Sequence, residues 1–222
     1  MSHPPALFCI GRNYAAHAEE MRAAPPERPL VFMKNPASTI GPDDDIVIPA
    51  ICHEHGPQVD FEGELAVIIG RDCRDVDEAD ALDFVSGWSV ANDVTARWWQ
   101  KEGSGGQWTR GKSFDTFCPL SPAVPASSVP DPQALHLETR LCGEIMQRGQ
   151  TADMIFPVAT LISELSRGLT LLGGSVILTG TPPGIGATRT PPRFLRDGDV
   201  VEVIIEGIGT LRNRVRDPHA ST

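Results

Sequence analysis

Two glutamates, Glu62 and Glu64, stand either side of a glycine in the run VDFEGELAVII. A strand sends residues two apart to the same face, so this spacing projects both carboxylates side by side. Like charges that close repel, and the apolar stretch after them offers little water. A divalent cation relieves both penalties. Carboxylate oxygens suit Mg²⁺ or Mn²⁺, and Ca²⁺ is compatible with the same donors. A solvent-facing strand edge would present the same two residues with no ion between them. Asp93, at the end of GWSVAND, offers a third oxygen where a strand ends. Its alternative role is to cap a helix over VTARWWQ. Asp60, nearer to the pair in sequence, competes for the third position.

His17 and Glu20 lie three apart in AAHAEEM, the spacing at which side chains meet on one helical face. A carboxylate that orients an imidazole raises its basicity and makes the pair a general base for water. An ordinary solvated face would carry the same two residues idle. Lys112, in RGKSFD, is one of three lysines against sixteen arginines. An ammonium there can neutralise an enolate or a substrate carboxylate, although a surface ion pair is the commoner use of such a residue. Arg12, after the glycine that ends LFCI, is placed to take a carboxylate or nothing. The stretch Cys52-His53-Glu54-His55 has metal-binding residue types but no second pair at zinc spacing, and loop packing explains it better. GTPPGIG lacks the glycine patterns of nucleotide loops, and no GxSxG elbow occurs.

These side chains need a scaffold, and the pattern predicts one that is rich in strands. Residues 7–10 read as a strand. Asn13 caps a helix that runs through AAHAEEMRAA to Pro25–Pro26. Further strands fall at 30–33, 46–48 and, unbroken, 59–69. A short helix over DEADALDFV, the strand GWSVAND and a helix opening near Val94 follow. GSGG at 103–106 reads as a mobile loop. His136 to Gln147 forms a hairpin turning at Cys142–Gly143, and Pro157 opens an amphipathic helix that Gly168 ends. Strand 176–179 and a last hairpin over DVVEVIIEGIGTLRNRV complete one α+β domain over residues 1–222.

The net charge of −10 argues against nucleic acid or an anionic membrane as the main partner. No secretory signal and no run of about 18 apolar residues is visible, so a cytoplasmic location is the expectation. Five scattered cysteines, with no CxxC, exclude a disulfide framework.

The blocks GRNYAAHAEEM, VDFEGELAVIIG, ANDVTARWWQ, RGKSFDTFCPL and ILTGTPPGIG, in that order, resemble the fumarylacetoacetate hydrolase family over most of the chain. The resemblance implies a mixed β-sheet roll with a few short helices, assembled as a homodimer. It implies that Glu62, Glu64 and Asp93 hold Mg²⁺ or Mn²⁺. It places His17 and Glu20 as a catalytic pair on a mobile lid over residues 12–25, with Lys112 beside the enolate. Arg97, Gln100 and Thr181 match substrate contacts. The start of the chain looks like the short acylpyruvase and oxaloacetate decarboxylase type. The middle blocks look like the branch of homoprotocatechuate-pathway isomerases and decarboxylases. The expected activity is hydrolysis of the C–C bond in a small 2,4-dioxo acid through a pyruvate enolate. Isomerisation of 2-hydroxyhepta-2,4-diene-1,7-dioate, and decarboxylation or tautomerisation of oxaloacetate, are alternatives on the same scaffold. A non-catalytic oxo-acid-binding protein is an alternative of another class.

Overall fold

Hydrophobic alternation and frequent turns build two mixed sheets, and the computed structural model describes residues 3–220. The six-stranded sheet runs in the order Val124–Pro125, Val85–Asn92, Gly63–Ile69, Val176–Leu178, Leu7–Gly11, Leu30–Lys34. Leu7–Gly11 pairs parallel with Val176–Leu178, and the other neighbours are antiparallel. Gly63–Ile69 is buried at every position except Ile68, so its sequence is an apolar run rather than an alternation.

The five-stranded sheet runs Glu144–Gln150, His136–Leu141, Val200–Ile205, Gly209–Arg216, Asp45–Val47. Here burial alternates along Val200–Ile205 and Gly209–Arg216, which leaves one face in the core and one toward water. The inner faces meet where Gly63–Ile69 and Val85–Asn92 pack on His136–Leu141, Val200–Ile205 and Gly209–Arg216. Gly63 lies at that meeting. A Cβ on it would collide with Thr139 Oγ1 and Val203. The glycine between the two glutamates therefore admits the second sheet on one face while the carboxylates project from the other.

Among the described residues, four short α-helices complete the frame: α1 (Ala15–Glu20), α2 (Arg97–Gln100), α3 (Trp108–Lys112) and α4 (Val158–Ser166). Pro157 precedes α4, which buries Val158, Leu161, Ile162 and Leu165. Truncating Leu161 to alanine would cost about 2–5 kcal/mol at such a site.

The structure departs from the sequence expectation at the elements nearest the chemistry. The unbroken strand 59–69 is two pieces. Val59–Asp60 pairs with Thr95–Ala96, and Glu62 leaves the ladder, its N–H donating to Asn92 Oδ1. The first helix begins after Tyr14, because the Asn13 amide is used elsewhere: Nδ2 donates to Phe156 O and Thr179 O, and Oδ1 accepts from Phe156 N–H. It also stops at Glu20, several residues short of Pro25. The helix expected from Val94 starts only at Arg97, since Thr95–Ala96 is held as strand. DEADALDFV forms a 3₁₀ helix over Glu78–Phe84, and Glu102–Ser104 a 3₁₀ turn with Gly103 against the rings of Trp98 and Trp99. The two expected hairpins and the strand at Val176–Leu178 are present.

Candidate active site

The break after Asp60 sets Glu62 at the mouth of the sheet and Glu64 one residue inside it, while Asp93 follows the adjacent strand Val85–Asn92. Asp93 N–H donates to Glu62 O at 2.8 Å, which ties the two strand ends together. Carboxylate oxygens of Glu62, Glu64 and Asp93 all lie within 4.8 Å of one another, and all three residues are buried. Asp60 does not join them. It accepts from Arg97 Nε and Nη2 at 2.9 and 2.8 Å and from the N–H groups of Gly186 and Ala187.

Three cations surround the cluster. Lys112 Nζ donates to Glu62 Oε2 at 2.8 Å and to Asp93 Oδ2 at 2.5 Å. Arg97 Nη1 lies 2.6 Å from Glu62 Oε1, and Lys34 Nζ lies 2.6 Å from Asp93 Oδ1. Burial alone would raise the Glu62 carboxyl, but Lys112 and Arg97 overcome it and bring it down to about 2. Glu64 goes the other way, pushed well up by burial and then by the charges of Asp93 and Glu62. Gly180 N–H donates to its Oε2 at 2.6 Å, and no cationic side chain among the described residues pairs with it. A buried carboxylate without a counter-cation, beside two others, is the donor set a hard divalent ion fits.

His17 Nδ1 donates to Glu20 Oε2 at 3.1 Å, which leaves Nε2 of the neutral ring as the acceptor. Glu20 is itself fixed: Oε1 accepts from Gly184 N–H at 2.9 Å and from Thr188 Oγ1 at 2.6 Å. Arg12, His17, Glu62, Arg97, Gln100, Lys112 and Thr181 together line a cavity of about 120 Å³. Thr181 is partly committed, its hydroxyl donating to Gly63 O and accepting from Gln147 Nε2. Gln100 Oε1 accepts from Arg97 Nη1 at 3.2 Å.

Sequence reasoning passed over Lys34, which grips Asp93, and Gln147, whose side chain ties Gly63, Thr181 and Pro182 together. It also passed over Phe32 and Trp108, which form an aromatic wall of the cavity. The rarity of lysine was the one signal that marked Lys34. The Cys52–His55 stretch holds no metal cluster among the described residues. His53 bonds Asp217 at 2.9 Å, and His55 stacks on Trp98.

The family model for the fumarylacetoacetate (FAA) hydrolase C-terminal region matches residues 6–216. The chain belongs to the fumarylacetoacetate hydrolase family. It is 44% identical over 216 residues to the mitochondrial oxaloacetate tautomerase FAHD2A of Homo sapiens, covering 97% of this chain and 68% of that one. The crystal structure of 2-hydroxyhepta-2,4-diene-1,7-dioate isomerase from Mycobacterium marinum matches with TM-score 0.84 and 40% identity, over 98% of this chain and 76% of that one. Fumarylpyruvate hydrolase from Pseudomonas aeruginosa, in complex with Mn²⁺ and pyruvate, matches with TM-score 0.86 and 32% identity, over 96% and 90%. The strand-rich fold with few short helices is thus the fold of this enzyme family. Among the described residues no helix is long and apolar enough to cross a membrane.

Proposed function

We propose that this chain is a divalent-metal-dependent enzyme that interconverts the keto and enol forms of a small 2-oxo acid, with oxaloacetate as its substrate. The observation that carries the reading is the His17–Glu20 pair, held at the wall of a small cavity beside three clustered carboxylates. Glu62, Glu64 and Asp93 would hold Mg²⁺ or Mn²⁺, whose Lewis acidity polarises the 2-oxo group and acidifies the neighbouring carbon. His17 would accept the C3 proton at Nε2, leaving the enolate, and hand it to the enolate oxygen to give the enol; the reverse transfers regenerate the keto form. Glu20 fixes the tautomer and orientation that this transfer needs. Lys112 lines the cavity and keeps positive charge beside the oxygen that becomes negative. The 44% identity to an oxaloacetate tautomerase supports the choice of oxaloacetate.

Hydrolysis of a 2,4-dioxo acid, the activity expected from sequence, is the second reading. The same base that moves a C3 proton can activate water for attack at C4, and the similarity to fumarylpyruvate hydrolase favours it. An intact, oriented base in the cavity favours catalysis over a role confined to binding. A homodimer is part of the proposal. Leu30, Val31 and Met33, on the outer strand of the six-stranded sheet, are exposed apolar side chains for a second copy to cover. Molar mass from light scattering tests it.

The deciding assay follows ketonisation of enol oxaloacetate and cleavage of acetylpyruvate by the purified protein, with Mn²⁺ and with chelator. Metal-dependent ketonisation well above the buffer rate is expected. Cleavage of acetylpyruvate without ketonisation would install the second reading, and neither activity would end both.

A further inference from the structure

We infer that Arg12, stacked on Trp108, receives the distal carboxylate of the substrate and makes the site selective for 2-oxo dicarboxylates over 2-oxo monocarboxylates. The inference rests on the reading of this cavity as a 2-oxo acid site.

Four cationic side chains line the cavity: Arg12, Arg97, Lys101 and Lys112. Arg97 and Lys112 are committed to Asp60, Glu62 and Asp93. Arg12 stands outside these pairs, half-buried, and Lys101 is exposed. The guanidinium carbon of Arg12 lies 5.5 Å from the centroid of the Trp108 ring, and Phe32 braces that ring edge-on at 5.4 Å. The arrangement depends on Gly11, because a Cβ there would strike the indole. Arg12 itself has φ 56, a left-handed backbone that costs any residue with a branched-out side chain and recurs at functional sites.

Charge accounting gives the head group a cation and leaves one over. The buried carboxylates of Asp60, Glu62, Glu64 and Asp93 outnumber the buried cations Lys34, Arg97 and Lys112 by one. A divalent ion reverses the excess to one positive charge, which the single carboxylate of a 2-oxo acid head neutralises. A second carboxylate in the same cavity needs its own cation, since an unpaired charge away from water is costly. A guanidinium takes a carboxylate with two parallel hydrogen bonds, and an aromatic face beneath it holds the plane in place.

The test is calorimetric titration, with Mn²⁺ present, of oxalate and of 3,3-difluoro-oxaloacetate. The second probe keeps both carboxylates and has no C3 proton to lose. Arg12→Gln is expected to weaken the difluoro diacid by about tenfold or more, the scale of one charge-assisted contact, and oxalate by much less. Arg12→Lys, which keeps the charge and the backbone, recovers part of the loss. Equal loss for both probes, no loss for either, or a loss that appears with Lys101→Gln instead, overturns the assignment of Arg12. Absence of oxalate binding by the wild type with Mn²⁺ overturns the 2-oxo acid reading, and this inference with it. Thermal melts of each variant show that the fold is retained.

Discussion

Lys34 Nζ donates to Asp93 Oδ1 at 2.6 Å, and neither side chain is exposed to solvent. A second bond from Nζ reaches Val94 O, while Lys112 holds the other oxygen of Asp93. The aspartate is thereby fixed between two ammonium groups, and Lys34 is a positioning residue for the carboxylate cluster. Lys34→Met leaves the buried Asp93 carboxylate with one ammonium in place of two, and about 3–5 kcal/mol, the cost of a fully uncompensated buried charge, is the upper bound on the loss. Urea unfolding of the chelated protein should show a loss within that bound, with Mn²⁺ affinity weakened as well. Wild-type unfolding and wild-type Mn²⁺ binding in the variant would remove Lys34 from the site.

Glu64 has the opposite problem: it is buried with two like charges beside it, and no cationic side chain among the described residues pairs with it. Without metal, Glu64→Gln should be as stable as the wild type or more so, because the amide never ionises. With Mn²⁺ the order should invert. An ion at a hundred times its dissociation constant stabilises the wild type by about 2.7 kcal/mol, and the variant should lose most of that gain. Thermal melts with Mn²⁺ and with chelator check both halves. A full Mn²⁺ response in Glu64→Gln would exclude the carboxylate from the metal site.

The sequence made this cluster legible because strand geometry leaves the two glutamates little freedom: a period of two and an apolar run predict paired, poorly solvated carboxylates. The His17–Glu20 pair was legible for the same reason in helical spacing. Local spacing does not carry long-range pairing. Nothing around Val59 announces that Thr95–Ala96 will pair with Val59–Asp60 and break the strand before Glu62. Lys34 is separated from Asp93 by 59 residues, and the Asn13 amide binds backbone 143 and 166 residues away. Such contacts exist only once the sheets have assembled, so a residue read as a helix cap became a brace between loops.

Burial raises the Glu20 carboxyl, and bonds from His17, Thr188 and Gly184 more than offset it, leaving it below the usual glutamate range. A folded value below the unfolded one stabilises the protein above the unfolded value, near 4.5, and that contribution fades as pH falls through the lowered folded value. The stability gap between wild type and Glu20→Gln should therefore be open at neutral pH and close below the ordinary glutamate range. Glu20 also ties α1 to the loop at Gly184 and Thr188, so the substitution should speed amide exchange across residues 13–24. Oxalate with Mn²⁺ should slow the same amides in the wild type, the behaviour expected of a lid. A gap that does not change with pH, or exchange that ignores both the mutation and oxalate, would count against Glu20 as the latch.

His17 and Lys112 separate the reactions this cavity can support. Keto–enol interconversion needs a group that takes and returns the C3 proton, and C–C hydrolysis needs one that activates water. Decarboxylation of oxaloacetate needs neither, because carbon dioxide departs without a proton transfer. His17→Ala should lower ketonisation of oxaloacetate, and any acylpyruvate cleavage, by roughly a hundredfold or more, the scale of general-base loss. Any decarboxylation should fall far less. Lys112→Ala should lower all of them, because each develops negative charge on the 2-oxo oxygen beside that ammonium. The Lys112 result needs a control, since its ammonium also bonds Glu62 and Asp93 and its loss weakens the metal site. Rates at saturating Mn²⁺, with occupancy measured, separate the two effects. Ketonisation that survives His17→Ala at the wild-type rate would show that the proton moves through another group, and the proposed role of the His17–Glu20 pair would be wrong.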